Sequence, residues 1–115
     1  MDATPFKHEK TTSLLKDLAA DFFVRESAGP ALVTVTRVEL SPTRREATVF
    51  LSVLPQSFED AVLGFARRHA GDLAGFVKSK SRMRVMPRFE FVIDEGEKNR
   101  QRIDELLNEE KKSIN

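Results

Sequence analysis

The sequence predicts an α+β domain with the element order α-β-β-α(-α)-β-α. Three segments alternate apolar and polar side chains with the period of a β-strand, at 31–40, 47–54 and 84–93. In two other segments, 14–23 and 62–77, apolar residues recur every three or four positions, as in amphipathic helices. A chain of 115 residues is long enough for one hydrophobic core and too short for two.

The first helix is predicted to begin at Thr4-Pro5, because proline at the first helical position loses no intrahelical hydrogen bond. Its apolar stripe consists of residues spaced by three and four positions: Leu14, Leu15, Leu18, Ala19, Phe22 and Phe23. Gly29-Pro30 ends the helix, since neither residue favours its continuation.

The next two segments predict an antiparallel hairpin, because 31–40 and 47–54 are joined by a short run rich in turn residues. The alternation of the first strand shifts at Arg37, which predicts a β-bulge. We assign Arg44 and Arg45, at the tip of the hairpin, to turn chemistry rather than to contacts with a partner.

A helical region follows the hairpin, and Ser57 with Asp60 is predicted to cap its start. One apolar stripe runs through this region: Val62, Ala66, Ala70, Leu73 and Val77. The stripe continues past Gly71 and Gly75, so the region is either one long helix or two segments joined by a kink.

The third strand is predicted over 84–93, and Pro87 within it indicates an edge position or a bulge. Its inward face holds alternate residues: Val85, Phe89, Phe91 and Ile93. Asp94 with Glu97 is a typical helix start, and we assign Asp94 to this cap rather than to catalysis. The last helix has one narrow apolar face: Ile103, Leu106 and Leu107.

The composition excludes several kinds of site. Nineteen Lys and Arg against eighteen Asp and Glu leave a net charge of +1, so gross charge gives no evidence for a nucleic-acid partner. The absence of cysteine excludes disulfides, thiolate zinc sites and cysteine nucleophiles. His8 and His69 lack the spaced partners of known metal motifs. We therefore expect no enzyme activity, no cofactor and no metal, and a structural role for His69.

The chain lacks any apolar run near the roughly 20 residues that span a bilayer, and its start lacks the apolar stretch of a signal peptide. We expect a cytoplasmic monomer with neither a membrane nor a small-molecule partner. The expected organisation is one domain over residues 1–115, with an ordered core from about 7 to 109 and disordered termini.

The charge is strongly polarised along the chain. Residues 65–88 hold seven cations and one anion, Asp72, which gives +6 and leaves −5 for the remainder. Such a pattern suits a partner with a negatively charged backbone. Most of the nine phenylalanines lie at positions whose periodicity points them into the core, and they do not alternate with the cations as base-stacking aromatic residues would. The pattern therefore favours recognition of the backbone and shape of folded RNA.

On a helical wheel from residue 67 to 82, one face lies opposite the apolar stripe. Along this face a cation is followed by two small residues and then by two further cations: Arg67, Gly71, Ala74, Lys78 and Arg82. On an exposed face the small residues would admit a phosphate backbone between the flanking cations. The alternative is a kink or a close helix crossing beside an ordinary solvated surface. The candidate RNA-binding residues are Arg67, Arg68, Gly71, Gly75, Lys78, Lys80, Arg82, Arg84 and Arg88, the last two on the outer face of the third strand.

Several stretches, in this order and spacing, resemble the ribosome-binding factor A family of bacterial small-subunit assembly factors. They are Leu32–Pro42, Ala47–Ser52, Arg82–Phe91 and Asp94–Leu107. The resemblance implies a KH-like fold of type II, α-β-β-α-α-β, with an added C-terminal helix. It also implies an Ala-x-Gly at a kink between two helical segments, in place of a G-x-x-G loop. Aligned back from Pro87 without a gap, that motif falls on His69-Ala70-Gly71, which keeps the glycine but has His69 in place of the alanine. A placement on Leu73-Ala74-Gly75 also lacks the alanine and would require deletion of about one helical turn.

The function implied by the resemblance is binding of the immature small ribosomal subunit and assistance in late maturation of its 16S rRNA, without catalysis. The partners would be the small subunit and its rRNA. The alternative is an α+β protein-interaction module that docks on a ribosomal or regulatory protein through its sheet.

Overall fold

The computed structural model describes residues 5–26 and 29–114, with side chains for residues 10–26 and 29–108. Within those residues the chain forms four α-helices and three β-strands: α1 (Pro5–Arg25), β1 (Leu32–Leu40), β2 (Glu46–Leu54), α2 (Glu59–Arg68), α3 (Ala70–Lys80), β3 (Arg88–Ile93) and α4 (Glu95–Ile114). This order confirms the predicted α+β fold.

The ends of the first and last helices bear on the predicted limits of the ordered core. Helix α1 begins at Pro5, as expected, while Thr4 lies outside the described residues. Helix α4 extends to Ile114. Disorder is predicted for residues 1–6 and 110–115. Of these, 1–4 and 115 lie outside the described residues, helices α1 and α4 include 5–6 and 110–114, and the core limits of about 7 and 109 stay a prediction.

The sheet has the order β1-β2-β3, with an antiparallel β1–β2 hairpin and a parallel β2–β3 pair. Val35 pairs with Leu51 and Arg37 with Phe50, so Thr36 is one extra residue in β1. The β-bulge predicted from the shifted alternation is therefore confirmed.

Helices α1, α2 and α3 cover one face of the sheet and enclose the core. Fully or almost fully buried side chains come from β2 and from all three helices: Leu15, Ala19, Ala47, Val49, Leu51, Val53, Val62, Ala66, Leu73 and Val77. Burial of each large aliphatic side chain contributes about 1.5–3 kcal/mol. The opposite face of the sheet carries half-buried or exposed residues, among them Thr48, Phe50 and Ser52.

Two predictions about element starts are wrong. The third strand begins at Arg88, four residues later than expected, so Pro87 precedes it and Val85 is 76% exposed. The reason is that Arg88 pairs with Glu46, the first residue of β2, and no described strand lies alongside earlier residues. Ser57 does not cap α2, because a 3-10 turn over Gln56–Phe58 precedes that helix.

Helix α4 is anchored at its base by Asp94, and this predicted cap is confirmed. The Glu97 N–H donates to Asp94 Oδ1 at 3.0 Å. The hydroxyl of Thr36, the bulge residue, donates to Asp94 Oδ2 at 2.5 Å. Further along α4 the predicted apolar face is more than half exposed: Ile103, Leu106 and Leu107.

Candidate nucleic-acid interface

The helical region breaks at His69, between α2 and α3. His69 has φ −102° and ψ 13°, so its backbone leaves the helical conformation for one residue. Its Nδ1 lies 2.8 Å from Asp72 Oδ2, and its ring centroid lies 4.4 Å from that of Phe65. The Leu73 N–H donates to the His69 carbonyl, which restores the helical pattern directly after the break. These contacts hold the His69 side chain at the kink, and its structural role stays a prediction.

Gly71 and Gly75 lie on the exposed side of α3. A Cβ built on either residue would meet no described atom within 4 Å, so no described neighbour requires a glycine there. Of the glycines that the structure describes, only Gly29 has a positive φ. Because glycine lowers helix stability by about 1 kcal/mol relative to alanine, the two residues leave an open, shallow surface at the expense of helix stability. Among the described residues, none packs against α3 at these two positions, which argues against the alternative of a close helix crossing.

Every cation of the segment 65–88 is exposed. Among the described side chains, none forms an ion pair with Lys78, Arg82 or Arg84. Arg67 Nη2 donates to the Phe91 carbonyl at 3.4 Å, so this side chain spans from α2 to β3. The segment therefore presents exposed positive charge that has little internal compensation among the described side chains.

The predicted helical face is interrupted in two places. The helix axis changes at His69, so Arg67 and Arg68 belong to α2 while the glycines and Lys78 belong to α3. Helix α3 ends at Lys80, so the assumption of a helix continuing to Arg82 is wrong.

The two arginines assigned to the outer face of the third strand lie in different places. Arg84 belongs to the irregular segment 81–87, and its predicted place in the strand is wrong. Arg88 is the first residue of β3, and its Nη2 lies 3.0 Å from Glu90 Oε1. Because Phe89 points into the core, Arg88 faces away from the helices. The structure thus separates Arg88 from the other candidate residues.

Two further arginines, Arg44 and Arg45, lie close to Arg84 although sequence analysis assigned them to the turn alone. All three line one cavity of about 410 Å³ between the hairpin tip and the segment 81–87. Arg44 has φ 62°, in the left-handed region where asparagine or glycine is usual. No local sequence signal indicated this role, because the left-handed backbone of Arg44 and its place beside Arg84 are visible only in the fold.

Among the residues that the structure describes, no three metal-ligating side chains come together. In the same part of the chain, no helix combines the length and the apolar character needed to cross a membrane.

The family model described as ribosome-binding factor A matches residues 7–107. Ribosome-binding factor A of Thermodesulfovibrio yellowstonii is 35% identical over 112 residues, which cover 95% of each chain. This chain belongs to the ribosome-binding factor A family. The family member from Carboxydothermus hydrogenoformans is 34% identical over 105 residues, which cover 88% of this chain and 83% of the relative.

Solved structures of the ribosome-binding factor A family share the fold. The crystal structure of the Thermus thermophilus protein has a TM-score of 0.67 and 25% identity, and the match covers 75% of this chain and 93% of that one. A Thermus thermophilus ribosome-binding factor A fitted into a cryo-EM map of a 30S complex has a TM-score of 0.62 and 26% identity, covering 70% and 88%. The KH-like fold implied by the resemblance is confirmed.

Proposed function

We propose that this chain binds the immature small ribosomal subunit and assists late maturation of its 16S rRNA. The protein acts by binding alone, holding a local RNA conformation while assembly proceeds. Membership of the ribosome-binding factor A family supports the subunit as partner, since the Thermus thermophilus relative was fitted into a map of a 30S complex.

The observation that carries the proposed interface is the open surface over Gly71 and Gly75. A phosphate backbone can approach the α3 backbone there, because neither residue has a Cβ and no described atom lies in the way. Lys78 and Arg82 supply positive charge at the end of α3 and just beyond it, and no described side chain pairs with either. Contacts of this kind position folded RNA without reading its sequence.

The proposed RNA-binding set consists of the cations and glycines of the kinked region: Arg67, Arg68, Gly71, Gly75, Lys78, Lys80, Arg82 and Arg84. Arg88 belongs to a separate part of the surface, on the opposite face of the sheet. We propose that it contributes through a second contact with the RNA.

The test is co-sedimentation of the protein with isolated small subunits across a salt series, with large subunits as the reference. We expect salt-sensitive binding to small subunits, because each phosphate contact releases counterions. Lys78→Glu with Arg82→Glu should weaken binding and reduce the slope of log K against log salt by about 0.7 to 0.9 for each lost contact.

A matched control is Lys16→Glu with Arg102→Glu, two exposed cations on α1 and α4. Each substitution changes the charge by −2, so both double variants fall from +1 to −3. The control should retain the wild-type slope. An equal loss in both variants would show that net charge, rather than this face, governs binding. Binding that is insensitive to salt and survives removal of RNA would favour a protein partner.

Three related properties belong to the same proposal. The chain acts as a monomer, in the cytoplasm where ribosomes assemble, and as one domain over residues 1–115. The exposed kinked region needs no second copy of the chain to complete it.

A further inference from the structure

The cleft at the hairpin tip is formed by three segments that are distant in sequence. Its described lining includes an apolar floor and rim: Leu40, Met83 and Val85. Leu40 is 9% exposed and Met83 is packed against the core, whereas Val85 is 76% exposed. At about 410 Å³ the cleft falls within the range of roughly 300–1,000 Å³ that is typical of small-ligand sites.

The hairpin side of the cleft is held by backbone hydrogen bonds. The Arg44 N–H donates to the Ser41 carbonyl at 2.9 Å, and the Ser41 N–H donates to the Glu46 carbonyl at 2.9 Å. The Arg88 N–H donates to the Arg45 carbonyl at 2.7 Å, which ties the hairpin to the start of β3. The hairpin side of the cleft therefore needs no ordering when a ligand binds.

The charge of the cleft is one-sided. Arg44, Arg45 and Arg84 line it, and no described lining residue is acidic. None of the three guanidinium groups has an ion-pair partner among the described side chains. Guanidinium groups bind phosphate oxygens in a bidentate manner and also stack on planar bases. A site with three such groups beside an apolar wall matches a ligand that has both a phosphate and a flat apolar ring.

We propose that this cleft binds one unstacked nucleotide of the RNA, with its base against Met83 and Val85 and its phosphates against the arginines. The inference rests on the proposed function, and the shared segment 81–87 makes the cleft continuous with the interface at Arg82. A fully paired helix would leave the apolar wall uncovered, because its bases are stacked inside. The nucleotide must therefore come from a bulge, a loop or a strand end.

The test uses fluorescence anisotropy with the full chain and two labelled RNA hairpins that differ only in a single bulged adenosine. We expect the wild-type protein to bind the bulged hairpin about tenfold more tightly, a difference of about 1.4 kcal/mol in binding free energy. Val85→Asp and Arg44→Glu, both at exposed positions, should each bring the affinities for the two hairpins close to equality. Arg102→Glu on α4 is the charge-reversal control and should leave the preference unchanged.

Lys78→Glu with Arg82→Glu separates this proposal from the proposed function. That variant should weaken both hairpins by the same factor and preserve the preference for the bulge. If the wild-type protein binds the two hairpins equally, or if the preference survives in both cleft variants, the nucleotide site is wrong. If the double variant binds the paired hairpin as well as wild type does, the kinked face is wrong instead.

Discussion

Gly75 lies in the middle of α3, where the fold itself would be more stable with alanine. Its backbone is helical and a Cβ would meet open space, so no steric penalty opposes the substitution. We expect Gly75→Ala to raise the free energy of unfolding by about 0.5–1 kcal/mol, measured by urea denaturation. A decrease would mean that this position is constrained by the fold.

The same residue provides a test of close RNA approach. Gly75→Gln adds a long neutral side chain to the open surface without changing charge. We expect small-subunit binding to weaken while the unfolding free energy stays at or above the wild-type value, because glutamine also favours the helix more than glycine does. Unchanged subunit binding would place the RNA away from this surface.

At the scale of elements, Asp94 links the β1 bulge to the start of α4. The Thr36 hydroxyl, and next the Glu97 N–H, lower the pKa of the Asp94 carboxyl below its ordinary value, with a further contribution from Arg37. A carboxyl whose pKa is lower in the folded state stabilises the fold above the unfolded-state pKa of about 3.9. That stability is lost as the pH falls through the folded-state pKa.

Asp94→Asn should expose this pH dependence, because asparagine keeps a capping oxygen but carries no charge. We expect the variant to be less stable than wild type by about 1 kcal/mol at pH 7, with the difference shrinking as the pH falls below about 4. Urea denaturation of both proteins at several pH values provides the measurement. A difference that is independent of pH would mean that the carboxylate charge has no part in the contact.

The elements were predictable where local patterns determine them. The shift at Arg37 indicated the bulge, and the stripe from Val62 to Val77 indicated the buried side of α2 and α3. The alternation of apolar and polar residues from Arg84 onward predicted a strand start that is four residues too early. The start of β3 depends on where its partner β2 begins rather than on its own sequence. The charge of the interface was visible in the composition of 65–88. The kink was one of two alternatives left open by the residues themselves, and the family resemblance placed it at His69-Ala70-Gly71, where the structure has it.

The arginine cleft could not be predicted at all from local sequence. The residues that line it belong to α1, the hairpin tip and the segment 81–87, and only the tertiary fold brings them together.

At the scale of the whole molecule, the chain is longer than a compact protein of its size. Its radius of gyration is 16.5 Å, whereas a compact chain of 115 residues has about 13 Å. The cause is α4, which extends from the body and leaves its apolar side chains more than half exposed. We expect small-angle X-ray scattering of the dilute monomer to give a value close to 16.5 Å.

A scattering value near 13 Å would mean that α4 folds back onto the body. A value that rises with protein concentration would instead indicate association through the exposed residues Ile103, Leu106 and Leu107.

Helix α4 is anchored near Asp94, so a small change in its tilt moves its far end by several ångströms. Its 20 residues span about 30 Å, so a tilt of about 10° at Asp94 displaces the far end by about 5 Å. The first turn of α4 is held by hydrogen bonds around Asp94, which connect it to the edge strand through Thr36, and by the ion pair of Lys98 with Glu59 on α2. A change of tilt at this end therefore has to alter both contacts, and it would displace the far end of the helix by about one helical pitch.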